Sequence, residues 1–264
     1  MIRRTLRKII PTYAIFPLIL TGLMNLFAYQ GNKLIQLIVG IDRVFDLTTP
    51  WDSYFAFHPT WVLVYIGAFV FWTYQYTTVA RESPEKAYQL AAADFVAKLI
   101  CFFFFAFMPT TNVRPEVEGT GFIPFLMRFI YWVDTPTNLF PSIHCFVAWL
   151  GTRYMFECKK LRHKGPTCVL CVIGSILVFL STLHTKQHVL PDVVSGIIVA
   201  EIGWFTARFT KLPKVVERIN EKFMKTRLCK ILEQCVKYPP AGLLQAGIFL
   251  LHQAVEPFDI AVGI

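Results

Sequence analysis

Apolar residues in this chain run on for helix-length stretches that are broken by short polar clusters. Six of them, residues 10–29, 60–80, 88–108, 142–157, 167–183 and 190–209, predict membrane-crossing helices. A hydrocarbon layer of about 30 Å takes about 20 helical residues. The fourth stretch is the shortest and carries Arg153. Two more apolar runs, 34–41 and 241–251, are too short to cross; the first predicts an interfacial segment and the second an interfacial or docked helix. No internal repeat or low-complexity linker divides the chain, so one integral membrane domain over 1–264 is expected. The predicted fold is all-α, a polytopic six-helix transmembrane bundle.

The connections set an expected orientation. Arg3, Arg4, Arg7 and Lys8 precede the first stretch, and Arg81 and Lys86 follow the second. Lys159, Lys160, Arg162 and Lys164 follow the fourth, and a basic tail over 208–264 follows the sixth. With six crossings all four clusters fall on one side, which the positive-inside rule makes cytoplasmic, with both termini. The N-terminus mimics a signal peptide, but no small-x-small cleavage pattern follows, so a retained first span is expected.

Composition supports this class. The chain of 264 residues is 55% hydrophobic and only 16% charged, against about 25% charged for ordinary soluble domains. Its net charge of +9 is confined to clusters between apolar stretches and in the tail. That distribution predicts anionic lipid headgroups at the cytoplasmic face as partners, not nucleic acid. The seven cysteines include Cys168-x-x-Cys171, but no second pair completes a zinc site, and all seven are expected to be reduced thiols filling space.

The chemistry lies where polar residues interrupt helix ends on the side opposite the basic clusters. His188 and Asp192 are four apart and share one face of a helix that begins near Pro191. A carboxylate on one ring nitrogen fixes the tautomer and leaves the other nitrogen nucleophilic. His144, after Pro141 and Ser142, stands at the start of the fourth stretch and suits a general acid and base. Amides near Ser142 offer partial positive charge to phosphate oxygens. Arg114 is a bidentate phosphate clamp in the making, and Lys186 is a second candidate cation. Residues from three separate connections thus converge on one predicted extracytoplasmic or lumenal site.

Pro141-Ser-Ile-His144 resembles the PSGH motif of the type-2 phosphatidic acid phosphatase superfamily. Ser181-Thr-Leu-His-Thr-Lys-Gln-His-Val-Leu-Pro-Asp192 resembles its SRxxxxxHxxxD motif, and Arg114-Pro115 the end of its KxxxxxxRP motif. The resemblance covers residues 88–200. It implies six helices, a metal-independent site without cofactor, His188 as nucleophile, Asp192 as its orienting carboxylate and His144 as acid and base. Phosphate would be held by Arg114, Ser142, Ser181 and Lys186. The departures are Phe107 at the motif lysine, Ile143 at the motif glycine and Thr182 at the motif arginine. Lys186 is a candidate replacement for one missing cation. The pattern leans toward the inositol phosphorylceramide synthase-like branch, whose members transfer a headgroup to a lipid alcohol.

The implied function is a membrane-embedded hydrolase of lipid phosphate esters with a phospholipid or sphingolipid substrate. A headgroup transferase on the same residues is the alternative, and an inactive transport or scaffold protein another. His184-x-x-x-His188-x-x-x-Asp192 also permits a three-ligand metal reading, which the small number of histidines disfavours. Asp94 and Lys98, four apart inside the third stretch, predict an intramembrane ion pair, with a proton or ion pathway as the functional rival.

Overall fold

The structure is a computed structural model that describes residues 10–40 and 43–226. The N-terminal cluster Arg3, Arg4, Arg7 and Lys8, the apolar run 241–251, Cys229, Cys235 and His252 lie outside the described residues. Its helices are α1 (Ile15–Leu26), α2 (Asn32–Val39), α3 (Val62–Glu82), α4 (Pro84–Phe107) and α5 (Phe122–Val133). They continue with α6 (Ile143–Met155), α7 (Lys164–His184), α8 (Leu190–Phe209) and α9 (Leu212–Met224). Phe45–Asp46 (β1) and Thr110–Thr111 (β2) form a short parallel pair.

Five helical stretches are long and apolar enough to cross a bilayer: Thr12–Val39, Pro59–Glu82, Pro84–Phe107, Lys164–His184 and Leu190–Phe209. The chain is a multi-pass membrane protein. The first stretch is longer than its sequence predicts. A π-helical turn, Phe27–Gly31, carries the chain from α1 directly into α2, which ends where Gly40 turns left-handed at φ +69°. The run 34–41 is therefore largely an extension of the first helix, not a separate interfacial piece.

The fourth expected span is the exception. α6 has 13 residues, or about 20 Å of helix, and is not long enough to cross on its own. All of its residues except Trp149 and Arg153 are buried. It packs against α3, α4, α7 and α8, so its neighbours are protein on every side. Shielding by longer helices removes the demand for a full-length apolar surface.

Small residues permit this central packing. A side chain at Gly203 would lie 2.5 Å from the Ala93 carbonyl oxygen on α4, and one at Gly196 2.6 Å from the Ser142 carbonyl oxygen at the start of α6. Close backbone approach of this kind is how helices associate where lipid offers no hydrophobic contrast. The outward faces carry exposed Leu170, Ile173, Ile198, Ile202 and Phe205, which suits contact with lipid chains.

Ion pairing follows the same division. Asp94 and Lys98 pair at 2.8 Å inside the bundle, with Tyr76 donating to Asp94 and Lys98 donating to the Thr21 carbonyl. At the end of α6 and α8 away from His144, Glu157 bonds Lys86 and the Trp204 indole, and Arg153 pairs with Glu201 at 3.0 Å. α9 lies at that end as well. It buries Val216 and Asn220, whose amide donates to the Tyr88 hydroxyl, and exposes Lys214, Arg218 and Lys222. The described cysteines, Cys101, Cys145, Cys158, Cys168 and Cys171, are buried free thiols.

Candidate active site

The first turn of α8 is organised by one carboxylate oxygen. Asp192 Oδ2 accepts the Val189 amide at 3.0 Å and stands 3.3 Å from His188 Nδ1. Pro191 sits in that turn, where a missing N–H costs nothing. Because Oδ2 can only accept, the pair favours a proton on Nδ1 and leaves His188 Nε2 without one. Both side chains are buried, Asp192 fully. Burial excludes competing water and keeps the pair's geometry fixed.

The His144 ring lies 5.6 Å from that of His188, centroid to centroid. Ser142 sets this approach: its hydroxyl accepts the Cys145 amide as the cap of α6, and its own amide donates to the Asp192 carbonyl at 3.1 Å. The starts of α6 and α8 are thus stitched together through backbone atoms. On its other side His144 meets Tyr65 at 4.6 Å and Trp72 at 5.3 Å, both from α3. Its Nδ1 is buried and has no partner within the protein.

Arg114 reaches the site from the loop after α4. It donates to the Asp134 backbone carbonyl and to Gln187 Oε1, and its guanidinium lies 4.8 Å from the centre of the Tyr131 ring. Burial holds the Arg114 pKa below its ordinary value and pushes the Tyr131 phenol up to about 12, against the opposing pull of the Arg114 charge. Tyr131 is therefore neutral at physiological pH, and donates to the Thr185 carbonyl at 2.7 Å.

His188, His144, Asp192 and Ser142 thus come together, Arg114 is linked to them through Gln187 beside His188, and Ser181 and Lys186 take other duties. Ser181 is fully buried and its hydroxyl donates to the Val178 carbonyl within α7. Its carbonyl receives the Thr185 amide and hydroxyl, which shapes the turn before His188. Lys186 has φ +53° and donates through Nζ to the Asp52 carbonyl at 3.2 Å, so its ammonium is drawn toward the loop before α3. Thr182, at the motif arginine, is buried and spends its hydroxyl on the Phe179 carbonyl. His184 turns away from His188: its Nδ1 faces the Ala56 carbonyl and its ring stacks on Trp61. Among the described residues no three His, Cys, Asp or Glu side chains gather as a metal-binding set.

Three supporting residues were not singled out from sequence. Asp52 accepts the Leu190 amide at 2.7 Å, Asp134 accepts the Tyr65 hydroxyl at 2.7 Å, and Gln187 receives Arg114. Only Gln187 carried a local signal, its place beside His188. Beneath His144 runs a cavity of about 590 Å³ between α1 and α3, lined by Thr21, Tyr65, Trp72, Tyr76, Lys98 and His144 among others. From Tyr65 to Thr77 it follows α3 for about 18 Å. Comparison of the chain with protein-family profiles, with curated proteins and with solved structures returned no match.

Proposed function

We propose that this protein is a metal-independent phosphatase of lipid phosphate esters that works through a phosphohistidine. The observation that carries the reading is the oriented His188–Asp192 pair facing His144, a residue that on its other side lines an elongated, mainly apolar cavity. The motif resemblance to the type-2 phosphatidic acid phosphatase superfamily supports the same roles.

His188 Nε2 attacks phosphorus, and the P–O bond to the lipid alcohol breaks as His144 relays to the departing oxygen a proton brought in by the phosphate monoester monoanion. Asp192 balances the positive imidazole of the phosphohistidine. Neutral His144 then takes a proton from water as that water attacks phosphorus. The P–N bond breaks, phosphate leaves with the proton that His144 returns to it, and His188 is restored. The cavity suits the hydrocarbon of the alcohol, since an apolar pocket with few polar groups at one end is the usual form of a lipid or small-molecule site.

In the same reading the chain crosses the membrane six times, with α6 as the shielded fourth crossing. Both termini and the basic α9 face the cytoplasm, where anionic headgroups attract them, and the site faces outward or into a lumen. A second reading, headgroup transfer to a lipid alcohol, is favoured by the cavity itself. His144 lines it, so an acceptor alcohol arriving from lipid would approach the base's side chain without passing through water.

Purified protein given radiolabelled phospholipid, with and without diacylglycerol or ceramide, tests both. Free phosphate in the presence of EDTA, inhibited by vanadate, is the expected result; a new labelled lipid would mean transfer. His188→Ala should lower turnover by on the order of 10³-fold or more. Activity that survives it sinks the nucleophile assignment, strict dependence on Zn²⁺ or Fe²⁺ favours a metal centre, and lipid binding without turnover a scaffold.

A further inference from the structure

Two of the cations expected for phosphate binding are absent from this sequence, and Lys186, the natural replacement, is engaged with Asp52. The neighbouring residue is the better candidate. Gln187 is only 1% exposed, and its Oε1 accepts from Arg114 Nη2. A guanidinium can only donate, so the atom facing it must be the amide oxygen, and the amide nitrogen is directed elsewhere. That nitrogen, Nε2, is buried and has no partner, and Arg114 Nε is likewise buried and unpartnered.

Buried donors without acceptors are costly, and a native protein keeps them where something else completes them. Here two unspent donor groups belong to side chains that are bonded to each other, one of them on the residue next to His188. Their common complement is an acceptor-rich anion. Arg114 itself is held in place by the Asp134 carbonyl and Gln187, which fixes the guanidinium beside the Gln187 amide.

We propose that Gln187 is a phosphate-binding residue that acts with Arg114, its amide N–H groups taking over from the missing motif arginine. This rests on the phosphoryl-transfer reading above. A neutral amide adds donors without a second buried charge, which suits a site already holding Arg114 in a desolvated position.

Gln187→Glu separates this role from a structural one. A carboxylate keeps, and strengthens, the acceptor that Arg114 uses, while it removes the donors and adds a repelling charge. Gln187→Met removes the donors without adding charge. The measurements are binding of inorganic orthovanadate to the full-length protein, lipid turnover and thermal midpoint. Vanadate affinity should fall by about tenfold or more in both variants, as expected for losing a hydrogen bond to a charged ligand, with the thermal midpoint of Gln187→Glu unchanged. If wild-type protein turns over lipid and either variant binds vanadate as wild type does, the assignment of Gln187 is overturned and the enzyme reading stands. If wild type shows no turnover but binds vanadate, and both variants lose it, the anion site survives and the enzyme reading falls. No vanadate binding by wild type overturns the site.

Discussion

The Ser142 amide donates to the Asp192 carbonyl at 3.1 Å, so the residue that caps α6 also holds the first turn of α8. This one backbone bond joins the helix bearing His144 to the turn bearing His188 and Asp192. The approach it requires depends on Gly196, one turn further along α8, where a side chain would sit 2.6 Å from the Ser142 carbonyl oxygen and 3.0 Å from Cys145 Cβ.

Gly196→Ala should therefore separate the two helices. Overpacking against backbone is expected to cost about 1–3 kcal/mol, and a displacement near 1 Å can reduce turnover by about 10²-fold. Gly67, whose position on α3 has open space around it, is the control: Gly67→Ala should leave turnover unchanged and hold or raise stability. Thermal midpoints and lipid turnover in one detergent check the pair, and equal behaviour of the two variants would refute the contact's importance.

Asp52 bridges the loop before α3 to the start of α8 by accepting the Leu190 amide at 2.7 Å, and it also accepts the Thr49 amide and hydroxyl. Asp52→Ala leaves the Leu190 donor without that acceptor and should cost about 1–3 kcal/mol. Turnover should drop with it, since His188 precedes the same turn. Asp52→Asn keeps an oxygen for Leu190 and should be milder; a larger loss in Asn than in Ala would count against this account.

The Asp94–Lys98 pair gives a test of charge inside the bundle. Lys98→Met leaves a buried carboxylate uncompensated and should destabilise by about 3–5 kcal/mol. Asp94→Leu combined with Lys98→Met should recover most of that loss, because the desolvation cost of both charges disappears. A double variant that folds well but loses a proton- or ion-dependent activity would instead make the pair functional. Thermal melts of the three proteins decide the structural part.

Orientation is checked by labelling. With six crossings, a cysteine introduced at Glu118 should react with an impermeant maleimide added to intact cells, and one at Lys164 should react only after permeabilisation. Reversal of this pattern would place the His188 site on the cytoplasmic face.

Much of this architecture was legible in the apolar runs, because each residue in a bilayer gains or loses free energy locally, one side chain at a time. The His188–Asp192 pairing was legible for the same reason: it depends only on the four-residue spacing of a helix. The fourth stretch stood apart in the sequence by its shortness and by Arg153, but its burial among other helices was not legible, because hydropathy does not reveal whether a helix faces lipid or protein.

The rest was decided by tertiary structure. Arg114 meets Gln187 across 73 positions, Tyr65 meets Asp134 across 69, and Asp52 meets Leu190 across 138. No local pattern encodes such contacts. They exist because the bundle brings its loops to one end, where each buried donor must find an acceptor. That requirement placed Lys186 against Asp52 and turned Gln187 toward Arg114, reversing the order in which their charges would rank them. The sequence alone determined that helices cross a membrane and that a histidine is oriented by an aspartate. Packing alone determined which side chains surround that histidine, since only the folded chain sets which donors are left unspent.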